Sequence, residues 1–293
     1  MMFFQAAQAG APPDLGEMML HHTADAWTIE LPFGLEWQLP RWEPIHLGPL
    51  TLDLSPTKHV VFLFVVAALV FLTLKIAARG VARAEKAGVA PKGFANVMEA
   101  MVLFVRNDIA IANIGEEMGP KYAPLIIAFF FFILYANILG LIPYGSTVTG
   151  NLAVTATLAF ITFLCIEIGG MIKLGFKGYL GTIFMHVDGL PGWAAVALSI
   201  AMSPIEVLGK LVKPFALAVR LFGNMTAGHF VILSLFGIIF LFGNLSGWNW
   251  AIGGVTTLVV VGILMLEIIV GLLQAYVFAL LSAVFIGLMQ HEH

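Results

Sequence analysis

Charged and amide side chains recur at helical spacing inside two long apolar segments near the end of the chain. In the first segment, spacings of four, three, seven and four residues place them on one helix face: Glu206, Lys210, Lys213, Arg220 and Asn224. The second segment supplies Glu267 and Gln274, seven residues apart and so also on one face. An arginine at the centre of a membrane costs about 3 kcal/mol, so Arg220 predicts a function. The structural alternatives are anchoring at the membrane surface and pairing with a carboxylate of the same bundle.

The polar residues of the two segments fall into layers if the segments pair antiparallel about a turn near residue 247. Residues at equal depth then have nearly the same sum of residue numbers, which places Arg220 beside Gln274 and His229 beside Glu267. His and Glu exchange protons, whereas Arg keeps its proton, so we expect a relay pair and a separate fixed charge. His229 follows Arg220 by nine residues, about half a turn out of phase, which suits two compartments. This pattern predicts ion translocation, with a carboxylate of another chain neutralising Arg220.

The composition fixes the class of protein. Hydrophobic residues make up 60% of the 293 residues, charged residues only 11%, and the mean hydropathy is +0.97. Because so few charges cannot cover a soluble domain, we expect an all-α polytopic membrane protein. The single cysteine, Cys165, has no partner for a disulfide, and we expect no cofactor, no metal and no nucleic-acid partner. The sequence lacks a Gly-x-x-x-x-Gly-Lys-Ser/Thr loop, so we predict a non-catalytic chain.

Charge and proline content divide the chain into an external segment, residues 1–55, and a membrane domain, residues 56–293. The external segment is proline-rich, and we expect an irregular chain with a short strand or helix in it. Its extreme N-terminus lacks the basic region of a secretory signal. Before the first span the chain carries seven acids and one base, Arg41. The end of the span and the stretch after it carry five bases: Lys75, Arg79, Arg83, Lys86 and Lys92. By the positive-inside rule the N-terminus is outside and the C-terminus cytoplasmic.

Apolar runs of bilayer length predict five membrane-embedded helices, at about 58–78, 121–143, 151–172, 193–242 and 251–290. Lys92, Glu99 and Arg106, seven residues apart, predict an amphipathic surface helix at about 91–117. As helices the last two segments would measure about 75 Å and 60 Å, against a hydrocarbon core of about 30 Å. Either each splits into two spans, or the pair forms a strongly tilted hairpin. Since neither contains a turn cluster, we favour the hairpin, with Pro204 and Pro214 as kinks.

Two stretches of sequence closely resemble subunit a of F-type ATP synthases. They are the run Glu-Val-Leu-Gly-Lys-Leu-Val-Lys-Pro-Phe-Ala-Leu-Ala-Val-Arg-Leu-Phe-Gly-Asn-Met-Thr-Ala-Gly-His from Glu206 to His229, and Gln-Ala-Tyr-Val-Phe from Gln274 to Phe278. The resemblance implies a stator subunit that provides two proton half-channels to a rotating c-ring and couples proton translocation to ATP synthesis. It implies c-ring subunits, b-type peripheral stalk subunits, the remainder of the complex and the lipid bilayer as partners. Together with the acidic N-terminal segment, it favours the inner membrane of a bacterium.

The resemblance also implies residue roles. Arg220 would hold the c-ring carboxylate in its charged form and block a direct proton leak. The proton path would use six further residues: Asn137, His229 and Glu267 at the outer inlet, Glu206 at the cytoplasmic outlet, and Asn224 and Gln274 beside the arginine. The segment from Asn137 to Pro143 is similar to a family motif but carries Gly140 where many members have an acid. Compared with some bacterial members, the acid and the histidine of the relay pair are exchanged between the two long helices.

Three other classes of membrane protein remain as alternatives. A secondary ion-coupled transporter would show paired repeats with broken helices, and the sequence has no second copy of the Arg220 segment. A respiratory-complex subunit would need axial ligands or a quinone site, and His229 is the only histidine deep in a predicted span. An intramembrane hydrolase would need a base beside Ser203 or Ser282.

Overall fold

The computed structural model describes residues 25–31, 35–48, 50–53, 55–142, 145–184, 192–242 and 249–291, which are mainly helical. The helices are α1 (Lys58–Lys86), α2 (Phe94–Phe104), a π-helix (Val105–Ile111), α3 (Ala112–Ile114), α4 (Gly119–Leu141), a 3-10 helix (Val148–Gly150), α5 (Leu152–Ile183), α6 (Gly192–Phe242) and α7 (Asn249–His291). Within these ranges, α1, α4, α5, α6 and α7 are long and apolar enough to cross a membrane. The prediction of an all-α polytopic membrane protein is confirmed.

Two short antiparallel hairpins precede α1, where the sequence predicts a short strand or helix. They join β1 (Thr28–Leu31) to β2 (Leu35–Gln38) and β3 (Ile45–Leu47) to β4 (Leu50–Leu52). Gly48, at φ 64°, turns the second hairpin, a backbone geometry that favours glycine. The amide of Lys58 donates to the carbonyl of Ala26 over 2.8 Å. The external segment is therefore tied to the first turn of α1.

The last two membrane segments are single helices of 51 and 43 residues. Pro204 and Pro214 lie inside α6 without ending it. Each helix is about twice the bilayer thickness at about 1.5 Å per residue, so neither can stand upright in a membrane. The alternative in which each segment splits into two spans is wrong for the described residues. The turn near residue 247 and the last two residues lie outside the described part of the chain.

Several helix ends differ from the sequence prediction. Helix α1 continues past residue 78 to Lys86, because Arg79, Arg83 and Lys86 point to the exposed side of its last turns. Helix α5 runs to Ile183, but Gly175, at φ 68° and ψ 168°, interrupts its helical geometry close to the predicted end. The surface helix begins after Gly93 and continues through the π-helix to Ile114. Residues 1–24, Pro143 and the loop at 185–191 lie outside the described residues, and the division at residue 55 stays a prediction.

The chain forms two compact units: residues 1–69, 133–151 and 222–273 in unit 1, and residues 70–132, 152–221 and 274–293 in unit 2. In unit 2 the edge of Phe129 meets Phe278 at 5.5 Å, and Ala279 and Ala283 are fully buried. A Cβ added at Gly287 would collide with the carbonyl of Asn113. Since lipid tails are as apolar as these side chains, close packing on small residues joins membrane helices.

Candidate functional site

A buried acid and a histidine face each other across α6 and α7 in unit 1. Nδ1 of His229 lies 3.6 Å from Oε1 of Glu267, and the two side chains are 23% and 7% exposed. Both carboxylate oxygens of Glu267 are buried, and neither accepts a hydrogen bond from the described residues. A buried acceptor without a donor costs about 1–3 kcal/mol, so such groups are retained for a reason other than stability.

The absence of a side chain at Gly228 leaves the space that the Glu267 carboxylate occupies. A Cβ at this position would collide with Oε1 and would lie 2.8 Å from Cδ of Glu267. The structure shows that the carboxyl group itself lies against the backbone at Gly228, one residue from His229.

Thr147 completes the pair on the other side of the imidazole. Its hydroxyl is hydrogen-bonded to Nε2 of His229, so both ring nitrogens of the histidine face a polar group. A side chain at Gly140 would approach Oγ1 of Thr147 to 3.1 Å and Cε of Met225 to 2.9 Å. A side chain at position 140 would therefore displace the end of Met225 and press on Thr147. No sequence signal marks Thr147, because threonine is common in membrane helices and their connections.

A cavity of about 350 Å³ opens beside this pair within unit 1. Its lining includes His229, Thr147, His59, Ser146 and Thr226 among apolar side chains. The hydroxyls of Ser146 and Thr226 are buried and lack a hydrogen-bond partner in the described residues. At about 30 Å³ per molecule the cavity has room for about ten waters, and its free hydroxyls offer them partners. The arrangement suits a water-filled path that ends at His229.

The buried side chain of Asn137 joins elements of unit 1 through hydrogen bonds. It is 1% exposed, donates from Nδ2 to the carbonyl of Gly271 over 3.0 Å, and accepts from the hydroxyl of Thr149 over 2.7 Å. Asn137 does not line the cavity beside His229. It fixes α4 against α7 and the 3-10 helix, and its predicted part in lining the inlet stays a prediction.

Arg220 lies on an exposed face of α6. Its guanidinium makes no hydrogen bond and no ion pair with any described residue of the chain. Asn224, one turn later, is exposed as well, whereas Gln274 is 7% exposed. The structure shows no hydrogen bond between Gln274 and Arg220. An uncompensated arginine on an apolar helix is costly in a membrane, so this face requires a partner that supplies negative charge.

A second polar cluster lies in unit 2. Glu206, Lys210 and Lys213 line a crevice of about 20 Å³. Lys210 is 9% exposed, its ammonium donates to Oγ1 of Thr182 over 2.8 Å, and it lies 4.8 Å from the centre of the Tyr179 ring. Lys210 is therefore buried within the fold, with its ammonium bonded to a hydroxyl.

Glu167 joins this cluster and is absent from the sequence prediction. It is 9% exposed and accepts a hydrogen bond from the hydroxyl of Tyr179, while Oε1 has no partner among the described residues. An acid inside the apolar run of α5 is a signal that could have identified it.

Comparison with known proteins agrees with the geometry. The family model described as ATP synthase A chain matches residues 60–287. A protein of Chlorobaculum tepidum named ATP synthase subunit a 2 is 45% identical, over 97% of this chain and 75% of its own length. A protein of Anaeromyxobacter dehalogenans named ATP synthase subunit a is 40% identical, over 96% of this chain and 71% of its own length. A protein of Myxococcus xanthus with the same name is 46% identical, over 83% of this chain and 76% of its own length.

These relatives carry the name of the family that the sequence around Arg220 resembles. Each of them aligns with most of the length of this chain. The transporter, respiratory and hydrolase alternatives are therefore set aside. The chain belongs to the ATP synthase A chain family and is the non-catalytic, proton-translocating stator subunit of the membrane sector of an F-type ATP synthase.

Proposed function

We propose that the cavity and the His229–Glu267 pair form the outer half-channel, and that Arg220 is the fixed charge on the path of the c-ring carboxylate. Membership of the family implies the ATP synthase complex, including the c-ring, as partner. Protons reach His229 through the cavity, pass to Glu267, and load a ring carboxylate. The ring carries each proton through the bilayer and releases it towards Glu206.

The observation that carries this proposal is the contrast between the two charged sites. The acid of the His229–Glu267 pair is buried with unpaired oxygens beside a polar cavity. Arg220 is exposed and has no carboxylate partner in the described part of its own chain. A group that passes protons must change its charge, and Arg cannot do so at physiological pH. The pair therefore relays protons, and Arg220 supplies a constant charge.

The face of α6 that carries Arg220 suits a neighbouring helix. The side chains of Ala216 and Asn224 are exposed, and a Cβ added at Gly209 or Gly223 would meet nothing within 4 Å. Small residues permit close approach of a second membrane helix. We assign this face to the c-ring, with Asn224 beside the guanidinium and Gln274 as its buried support from α7.

We assign the inner half-channel to the crevice lined by Glu206, Lys210 and Lys213. Glu206 is half-buried, and the crevice offers the space of about one water molecule. In this assignment Glu206 accepts the proton that leaves the ring. We place the N-terminus outside and the C-terminus in the cytoplasm of a bacterium, with b-type peripheral stalk subunits as further partners.

Substitution of Arg220 tests the proposal. In inverted membrane vesicles Arg220→Ala should abolish ATP-driven proton pumping while the complex remains assembled, because the change removes a cost of burial. After removal of the catalytic head, passive proton conduction should persist or rise, since the charge that separates the half-channels is gone. Arg220→Lys should also uncouple, because Lys lacks the planar guanidinium and can lose its proton on burial.

Arg79→Ala is the matched control, since Arg79 is also exposed but lies in the last turns of α1. It should pump at the wild-type rate. Coupled pumping by Arg220→Ala at the rate of this control would return Arg220 to an anchoring role and refute the proposal.

A further inference from the structure

A second histidine lies on the cavity that ends at His229. His59, in the first turn of α1, is 5% exposed and contributes to the cavity lining. Its Nδ1 lies 2.7 Å from Oδ1 of Asp25, which is 36% exposed. Among the described residues, His59 and Asp25 thus form a histidine–carboxylate pair on the N-terminal side of the cavity. This pair is separate from the His229–Glu267 pair. Neither residue belongs to the sequence motifs around Arg220.

The geometry leaves one nitrogen of His59 free for proton exchange. With Asp25 ionised, Nδ1–H donates to its carboxylate, so Nε2 is the nitrogen that can accept a proton. Partial burial would raise the pKa of Asp25, but the hydrogen bond and the charge of His59 outweigh this effect and hold that pKa below its usual range. Asp25 is therefore ionised at neutral pH, and its carboxylate faces Nδ1 of His59.

We propose that His59, held by Asp25, collects protons at the outer mouth of the half-channel and delivers them through the cavity to His229. In this step Nε2 binds one proton, the imidazolium is stabilised by the Asp25 carboxylate, and the same N–H bond then breaks as the proton enters the cavity. The bond from Nδ1 to Asp25 is kept throughout. The hydroxyls of Ser146 and Thr226, which lack partners among the described residues, line the same cavity as the two histidines.

A structural role for the same pair makes a different prediction. Asp25 also accepts a hydrogen bond from the backbone amide of His59 over 3.4 Å, and the amide of Lys58 bonds to Ala26, so Asp25 anchors the start of α1. Asn caps a helix about as well as Asp does. Asp25→Asn should therefore keep the anchor while removing the charge that stabilises the imidazolium.

The test measures proton conduction by the membrane sector of the assembled complex in vesicles after removal of the catalytic head. We expect His59→Gln and Asp25→Asn each to lower conduction at least about tenfold, since a positioned proton-transfer group typically contributes about 10²- to 10⁴-fold. The matched controls are His46→Gln and Glu43→Gln, which change exposed residues of the same external segment and should conduct as the wild type does. Imidazole added on the external side should restore conduction to His59→Ala but not to Glu267→Gln.

The proposal rests on the outer half-channel, and the two can fail separately. If Glu267→Gln conducts normally, the half-channel itself is wrong. If Glu267→Gln is blocked while assembled His59→Gln and Asp25→Asn conduct as the controls do, only the role of His59 is refuted. Should His59→Gln fail to assemble, Asp25→Asn decides, since it retains the backbone anchor: normal conduction then refutes the proposal, and a tenfold loss supports it.

Discussion

Gly228→Ala tests whether the position of the Glu267 carboxylate limits proton transfer. The added Cβ would collide with Oε1 and lie 2.8 Å from Cδ, whereas ordinary contact begins at 3.4 Å, so the carboxyl carbon must move by about 0.6 Å or more. This movement takes the carboxylate away from α6 and so from His229, whose Nδ1 is already 3.6 Å from Oε1. Misplacing a reacting group by about 1 Å can slow a reaction about 100-fold. We therefore expect passive proton conduction to fall about 10- to 100-fold.

The complex should still assemble with this substitution. Overpacking costs about 1–3 kcal/mol, and replacing glycine by alanine within a helix returns about 1 kcal/mol. The net destabilisation is thus about 0–2 kcal/mol, small for a subunit held in a large complex. Complex recovered after detergent extraction measures assembly, and proton flux in head-stripped vesicles measures conduction.

Two further variants make the result specific. Gly262→Ala, in α7, adds a methyl group where nothing lies within 4 Å of it and should conduct as the wild type does. Glu267→Asp withdraws the carboxyl group by one carbon–carbon bond, about 1.5 Å. The double variant, Gly228→Ala with Glu267→Asp, should therefore retain more proton conduction than the product of the fractions that the two single variants retain. The reasoning is refuted if assembled Gly228→Ala conducts as Gly262→Ala does.

Three further predictions concern the relay pair, the topology and the external segment. Exchanging the pair, with His229→Glu and Glu267→His, should retain more proton transport than either single change, and a double variant no better than the worse single would disprove the coupling. Cysteine labelling should place Gly247 outside and the exposed Lys213 inside; the opposite pattern would reverse the topology and the half-channels. The pKa of Asp25 lies below its ordinary value of 3.8, so above that pH its ionised form should stabilise the join between the external segment and α1. As the pH falls below 3.8 and Asp25 is protonated, the backbone amides at this join should lose their protection from hydrogen exchange. Asp25→Asn should lose this pH step, and a step retained in that variant would exclude Asp25 as its source.

The sequence alone determines the class of the protein and the length of its last two helices. Apolar composition dictates membrane helices because unpaired backbone groups are not tolerated in lipid. The lack of turn residues through α6 and α7 predicts their unusual length, which the structure confirms. The antiparallel register also brings His229 to Glu267 in unit 1, as the sum of residue numbers predicts.

The tertiary structure decides which polar groups share a space, because this depends on contacts between residues far apart in sequence. Thr147 reaches the imidazole of His229, and Gly228 admits Glu267, through packing that no local pattern encodes. Asn137 turns inward to Gly271 and Thr149, and Lys210 turns to Thr182, because buried donors must find acceptors wherever the fold provides them. His59 gains its significance only when folding places it on the same cavity as His229. The sequence thus determines which charges enter the membrane, and the packing of the helices determines which of them face each other.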